Sequence, residues 1–152
     1  MSDIAVREIE KRDHAQWQCL FAGYNAFYGR AGTSALPDEI VDTTWHRFFD
    51  PAEPVHAIVA EHGGRLVGLA HYLFHRSTTQ LQLTCYMQDL YTSEQSRGAG
   101  VGRKLILAVY DHALASGSPK VYWQTHETNG VAMQLYDKVA ERSGFIVYRK
   151  LF

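Results

Sequence analysis

Between Leu81 and Ala113 the hydrophobic period changes from two to about 3.6, across ten residues that hold three glycines and three cations. Before the change, Leu81, Leu83, Cys85 and Met87 alternate as a half-buried strand does. After it, Val101, Leu105, Ile106, Val109 and Ala113 share one helical face. The segment Gln95-Ser96-Arg97-Gly98-Ala99-Gly100-Val101-Gly102-Arg103-Lys104 therefore joins a strand to the start of a helix. Such a junction offers unpaired backbone N–H groups and the positive end of the helix dipole. Alternating glycines let the backbone curl and approach a bulky ligand, and Arg97, Arg103 and Lys104 add positive charge. Phosphate is the natural guest.

The remaining patterns give the order β-α-α-β-β-β-α-β-α-β, a mixed α/β layer architecture in a single domain over residues 1–152. Residues 4–10 alternate as a strand. Asp13 is placed to cap a helix with Trp17, Leu20, Phe21 and Tyr24 on one stripe. Pro37 opens a second helix that runs to about Phe49. Val55–Glu61 and Arg65–His75 flank Gly63-Gly64, which predicts a hairpin, and Gln80 to about Tyr91 forms the next strand. Val121–Thr125 reads as a short strand. Ala132, Leu135, Tyr136, Val139 and Ala140 define a last helix between Asn129 and Gly144, and Phe145–Tyr148 reads as a closing strand. The third long strand carries one irregularity. Asp89 falls in phase with Met87, yet Leu90 is the apolar residue; a β-bulge or a polar residue facing a site would each give that pattern.

Composition bounds the rest. A mass of 17.2 kDa scales to about 7,800 Å² of exposed surface in a compact fold, with a core that needs no metal or disulfide staple. Cys19 and Cys85 are expected to be buried free thiols in a reducing compartment. Net charge is −1, so neither nucleic acid nor membrane is a favoured partner. No segment resembles a signal peptide or a membrane span, and the chain is expected in the cytoplasm. The histidines lack the spacing and companions of a zinc site, so no metal is expected.

Two phosphate-binding motifs fail on arithmetic. A P-loop started at Gly98 would need glycine where Arg103 stands, and Ser or Thr where Leu105 stands. The dinucleotide fingerprint would need its third glycine one residue beyond Gly102. Arg97-Gly98-Ala99-Gly100-Val101-Gly102 instead resembles the Arg/Gln-x-x-Gly-x-Gly/Ala motif of the GNAT superfamily of N-acetyltransferases. Asp89-Leu90-Tyr91-Thr92 before it, Leu105-Ile106 after it, Asn129 to Leu135-Tyr136, Gly144-Phe145 and the element order extend the likeness along nearly the whole chain.

The resemblance implies transfer of an acetyl group from acetyl-coenzyme A to a primary amine by direct attack in a ternary complex. It assigns Leu90, Tyr91 and Thr92 to the pantetheine arm and the thioester. Arg97, Gly98, Ala99, Gly100, Val101, Gly102 and Arg103 would hold the pyrophosphate. Asn129 would contact the cofactor arm, or else cap its helix. Tyr136 would be the general acid that protonates the departing thiolate, or else a core residue of its stripe. A primary amine of pKa ~10.4 is only ~0.1% neutral at pH 7.4, a penalty of ~4 kcal/mol, so a base or a desolvated entry must help. Met87-Gln88-Asp89-Leu90-Tyr91 resembles a segment of polyamine acetyltransferases that has Glu where Gln88 stands. Gln88 cannot take the proton, which leaves Asp89, Glu94, a water chain or a substrate that arrives deprotonated. Gln88 and Asp89 are assigned to the substrate side together with Tyr28. Tyr24 and Tyr28 would face an ammonium group or pack the core, and Arg30 would pair with a carboxylate or stay solvated.

The region Tyr24–Arg30 and the Ser143-Gly144-Phe145 ending also resemble a subgroup of small fungal acetyltransferases for histones, polyamines or D-amino acids. Enzymes of this family often form homodimers. The rival reading from another class is a non-catalytic acyl-coenzyme A sensor, kept open by Gln88.

Overall fold

The computed structural model describes residues 3–152. Its sheet has five strands in the order β1 (Ala5–Glu8), β2 (Val55–His62), β3 (Arg65–His75), β4 (Thr84–Thr92) and β5 (Val121–Tyr122). The first four run antiparallel and β5 joins β4 in parallel. Helices α1 (His14–Phe27) and α2 (Asp38–Arg47) cover one face, α3 (Val101–Ala115) covers the other, and α4 (Gly130–Val139) leans on α3 beside β5. Gly63 and Gly64, with φ of 58° and 78°, make the two-residue turn that joins β2 to β3.

Both sheet faces are covered, so β2 buries consecutive residues. Ala57 and Val59 pack under α1 with Trp17, Leu20, Phe21 and Tyr24, while Ile58 and Ala60 pack under α3. Val101, Leu105, Ile106, Val109 and Ala113, the five residues of the α3 stripe, are the helix's buried set. Where α3 starts, Gly68 of β3 lies directly beneath it. A Cβ there would sit 2.8 Å from Val101 Cγ1 and 2.9 Å from the Tyr91 carbonyl oxygen. Gly68→Ala is expected to lower stability by about 1–3 kcal/mol, read as a reduced urea midpoint at unchanged slope.

Several expectations are corrected. Strand β4 begins at Thr84, not Gln80, and Leu81 lies outside it, 92% exposed, in the loop after β3. Asp13 precedes α1 but makes no capping bond to it. Its carboxylate instead accepts two hydrogen bonds from the Arg7 guanidinium, at 2.7 and 2.9 Å, and one from the Glu10 amide. Both cysteines are free, but Cys19 is exposed on α1 and only Cys85 is buried.

The largest departure is at the C-terminus. Helix α4 stops at Val139, and residues 140–152 form no strand. Total exposed surface is 10,196 Å², against the roughly 7,800 Å² expected for this mass.

Candidate active site

The site follows from how β4 is built. Cys85 and Tyr86 pair with Val121 and Tyr122, and no pairing continues beyond them, so β4 and β5 diverge. On the other edge β4 stays paired with β3, but the register slips at Gln88: Met87 stands opposite Tyr72 and Asp89 opposite His71. Gln88 is thus the extra residue of a bulge, and it is exposed. One inserted residue reverses which face each following side chain takes. Met87 packs under α3, whereas Asp89 lies beside His71 under α1.

The Ser93 amide donates to the Val67 carbonyl, so strand alternation turns the Tyr91 peptide groups toward β3 and those of Leu90 and Thr92 toward the free edge. The expectation for three consecutive cofactor-facing residues narrows accordingly. Leu90 and Thr92 present backbone, while Tyr91 contributes its ring, with the Arg97 guanidinium 5.8 Å from its centroid.

After β4 the chain enters the glycine loop. Gly98 and Gly100 both have φ of 81°, and the Cβ position of each opens on empty space. Backbone amides 98–103 meet no acceptor among the described residues; the first bond of α3 is Lys104 N–H to the Gly100 carbonyl. This row of unmet donors at a helix start is an anion cradle.

The cradle opens into a cavity of about 660 Å³ between β4 and α4. Leu90, Tyr91, Thr92, Arg97, Gly98, Gly100, Val101, Gly102, Arg103 and Asn129 line it, as do Tyr28 and Tyr136. Ala99 does not; it packs toward the α3 core. Asn129 stands at the N-cap position of α4 without a capping bond from its side chain, so its amide is free to serve the cavity. Tyr136 is held by the Trp123 ring, 5.4 Å centroid to centroid, and its hydroxyl has no protein partner among the described residues. Burial pushes its phenol up to about 12, and nearby Tyr28 adds to the shift.

Gln88 and Asp89 stand outside the cavity lining. Sequence reasoning weighed His71 only as a metal ligand, and the structure gives it another role. Trp17 Nε1–H donates to His71 Nε2 at 3.0 Å, which fixes the imidazole proton on Nδ1, where it is donated to Asp89 Oδ2 at 2.8 Å. His71 is buried among Phe21, Phe48 and Trp17. Asp89 in turn raises the Tyr24 phenol, after burial, and Arg30 lies over both Tyr24 and Tyr28 at 5.8 and 5.5 Å. Arg30 Nε donates to the Asn25 side chain at 2.8 Å, so this cation is fixed rather than loosely solvated. Each residue carried a separate sequence signal, though not their pairing: His71 interrupts the apolar run of residues 66–74, and Asp89 stands where the phase of β4 calls for an apolar residue. Among the described residues no cluster of three or more His, Cys, Asp or Glu could hold a metal ion.

Residues 14–140 match the acetyltransferase (GNAT) family. The chain belongs to that family. It is an acetyltransferase, moving an acetyl group to an amine. The D-amino-acid N-acetyltransferase HPA3 of Saccharomyces cerevisiae is 38% identical to it over 149 residues, covering 97% of this chain and 90% of the relative. The thialysine N-epsilon-acetyltransferase of Bos taurus is 33% identical over 89 residues, covering 53% of this GNAT chain and 52% of the relative. In fold, a probable acetyltransferase superposes with a TM-score of 0.84 at 19% identity, covering 97% of each chain. AAC(6')-Iy, solved with the bisubstrate analogue CoA-S-monomethyl-acetylneamine, gives 0.81 at 14% identity, covering 99% of each.

Proposed function

We propose that this GNAT enzyme takes its acetyl group from acetyl-coenzyme A and delivers it to the amino group of a small amino acid, working in the cytoplasm as a homodimer. The observation that carries the reading is one cavity lined both by the glycine loop, whose amides 98–103 are unmet, and by Tyr136 and Tyr28. The loop fits a pyrophosphate by donor count, by its open glycine positions and by the charge of Arg97 and Arg103.

The amides of Leu90 and Thr92 hold the pantetheine arm and polarise the thioester carbonyl. The amine nitrogen attacks the carbonyl carbon, the C–S bond breaks, and Tyr136 gives its proton to the sulfur. Asp89 lies outside the cavity lining, so the amine's proton passes to it through water. His71 and Trp17 keep the Asp89 carboxylate oriented, so Asp89 takes the role that Gln88 cannot. Fixed Arg30 at the Tyr24–Tyr28 wall suits a substrate carboxylate, which favours an amino acid over a polyamine. The name of the 38% identical relative points the same way.

Calorimetric titration with acetyl-coenzyme A, with NAD and ATP as controls, is expected to give micromolar binding selective for acetyl-coenzyme A. Thiol release is then measured over D- and L-amino acids, polyamines and lysine peptides. Equal binding of ATP, or no amine that releases thiol, would overturn the reading. Asp89→Asn is expected to lower kcat/KM at least about tenfold while acetyl-coenzyme A affinity changes little. Unchanged kcat/KM in that variant would remove Asp89 as the base.

A further inference from the structure

A base that stands behind the cavity wall needs a group that reaches both the cavity and its own carboxylate. Tyr24 is such a group. It lines the cavity together with Tyr28 and Tyr136, and its hydroxyl is hydrogen-bonded to the Asp89 carboxylate. The contact extends the chain that starts at Trp17. Trp17 Nε1–H donates to His71, His71 Nδ1–H donates to Asp89 Oδ2, and the Tyr24 hydroxyl donates to the same carboxylate from the cavity side.

Packing fixes the phenol. Phe21 stacks on Tyr24 at 6.2 Å between centroids and meets His71 edge-on at 5.2 Å, so one ring touches both the tyrosine and the imidazole. Tyr91 meets Tyr24 edge-on at 6.3 Å, and Tyr28 lies at 5.0 Å. Helix α1 is drawn close against β4 here: a Cβ on the neighbouring Gly23 would sit 2.6 Å from the Tyr91 hydroxyl oxygen. Tyr24 is buried as well, and burial followed by the Asp89 charge holds its phenol well above the usual range. A phenol that stays protonated is not itself the base. It is a donor and an acceptor at once, so it can take one proton and release another in the same step.

An α-amino acid fits this arrangement. Arg30 lies 5.8 Å from the Tyr24 ring centroid and is fixed by Asn25. One carbon separates the carboxylate of such a substrate from its amino group, so a carboxylate held by Arg30 leaves the amine near Tyr24.

We infer that Tyr24 is the proton relay of this enzyme: its hydroxyl oxygen takes the amine's proton from a cavity water, and its own hydroxyl proton passes to Asp89. This rests on the reading of Asp89 as the base and names the route to it. The nitrogen loses one proton and Asp89 gains one, while the water and Tyr24 end as they began. After the products leave, the same path run backwards returns the proton to solvent.

Steady-state kinetics at saturating acetyl-coenzyme A test the relay, using the fastest acceptor from the thiol-release survey. The wild type is compared with Tyr24→Phe, Asp89→Asn and the double variant. Tyr24→Phe keeps the ring and loses only the hydroxyl, so acetyl-coenzyme A affinity should be retained. It is expected to lower kcat about tenfold or more with little change in the amine's KM. The double variant is expected to be within about twofold of Asp89→Asn alone, because both substitutions cut one path. An unchanged Tyr24→Phe enzyme, a loss confined to KM, or losses that multiply in the double variant would overturn the relay and leave Asp89 as the base. Unchanged kcat/KM in Asp89→Asn would instead remove the base, and the relay with it.

Discussion

Tyr136→Phe is expected to lower kcat by about 10²- to 10³-fold, the range a lost general acid gives, while acetyl-coenzyme A affinity changes little. The substitution removes one oxygen and keeps the ring contact with Trp123 and the packing against the α3 core. Stability and cofactor binding should therefore survive, and an enzyme that loses only the proton donor will show it in turnover. The sign of the pH dependence follows from the raised phenol. With its pKa pushed up to about 12, Tyr136 stays protonated across the working range, so it adds no falling limb below about pH 10. Unchanged turnover in the phenylalanine variant would remove the assignment and leave solvent as the proton source.

Gly100→Glu is expected to cost at least about 100-fold in acetyl-coenzyme A affinity, for two separable reasons. Gly100 sits at φ 81° at the start of α3, where a side chain pays about 1–2 kcal/mol of left-handed strain. Its Cβ position also opens into the cradle with no neighbour in contact distance, so a carboxylate there would face the amides that a pyrophosphate would use. Gly100→Ala carries the strain without the charge, and comparing the two variants by calorimetry divides the loss between them. A Glu variant that binds as the Ala variant does would place the pyrophosphate elsewhere.

Elements with a repeating face were legible in the sequence because burial repeats with the backbone. The α1 stripe is buried, with Asn25 beside it, the five α3 residues are that helix's buried set, and the glycine pair makes its turn. Alternation misled at Leu81, where a loop happened to continue the strand's phase. Phe145–Tyr148 has the composition of a strand but forms none. A sequence states a propensity to pair and is silent on whether a partner strand lies within reach. Most candidate site residues do line one cavity, because a loop carries its neighbours with it. The His71–Asp89 pair was out of reach for another reason: it joins two strands, and its facing depends on one residue of register.

That residue, Gln88, has a consequence for how this scaffold tolerates change. Deleting it would leave every downstream side chain in place in the sequence but move it to the opposite side of the sheet. Asp89 would be sent into the greasy layer beneath α3, and Leu90 would face His71. A single codon thus works as a parity bit for the second half of β4, separating a strand that only fills space from one that presents a carboxylate.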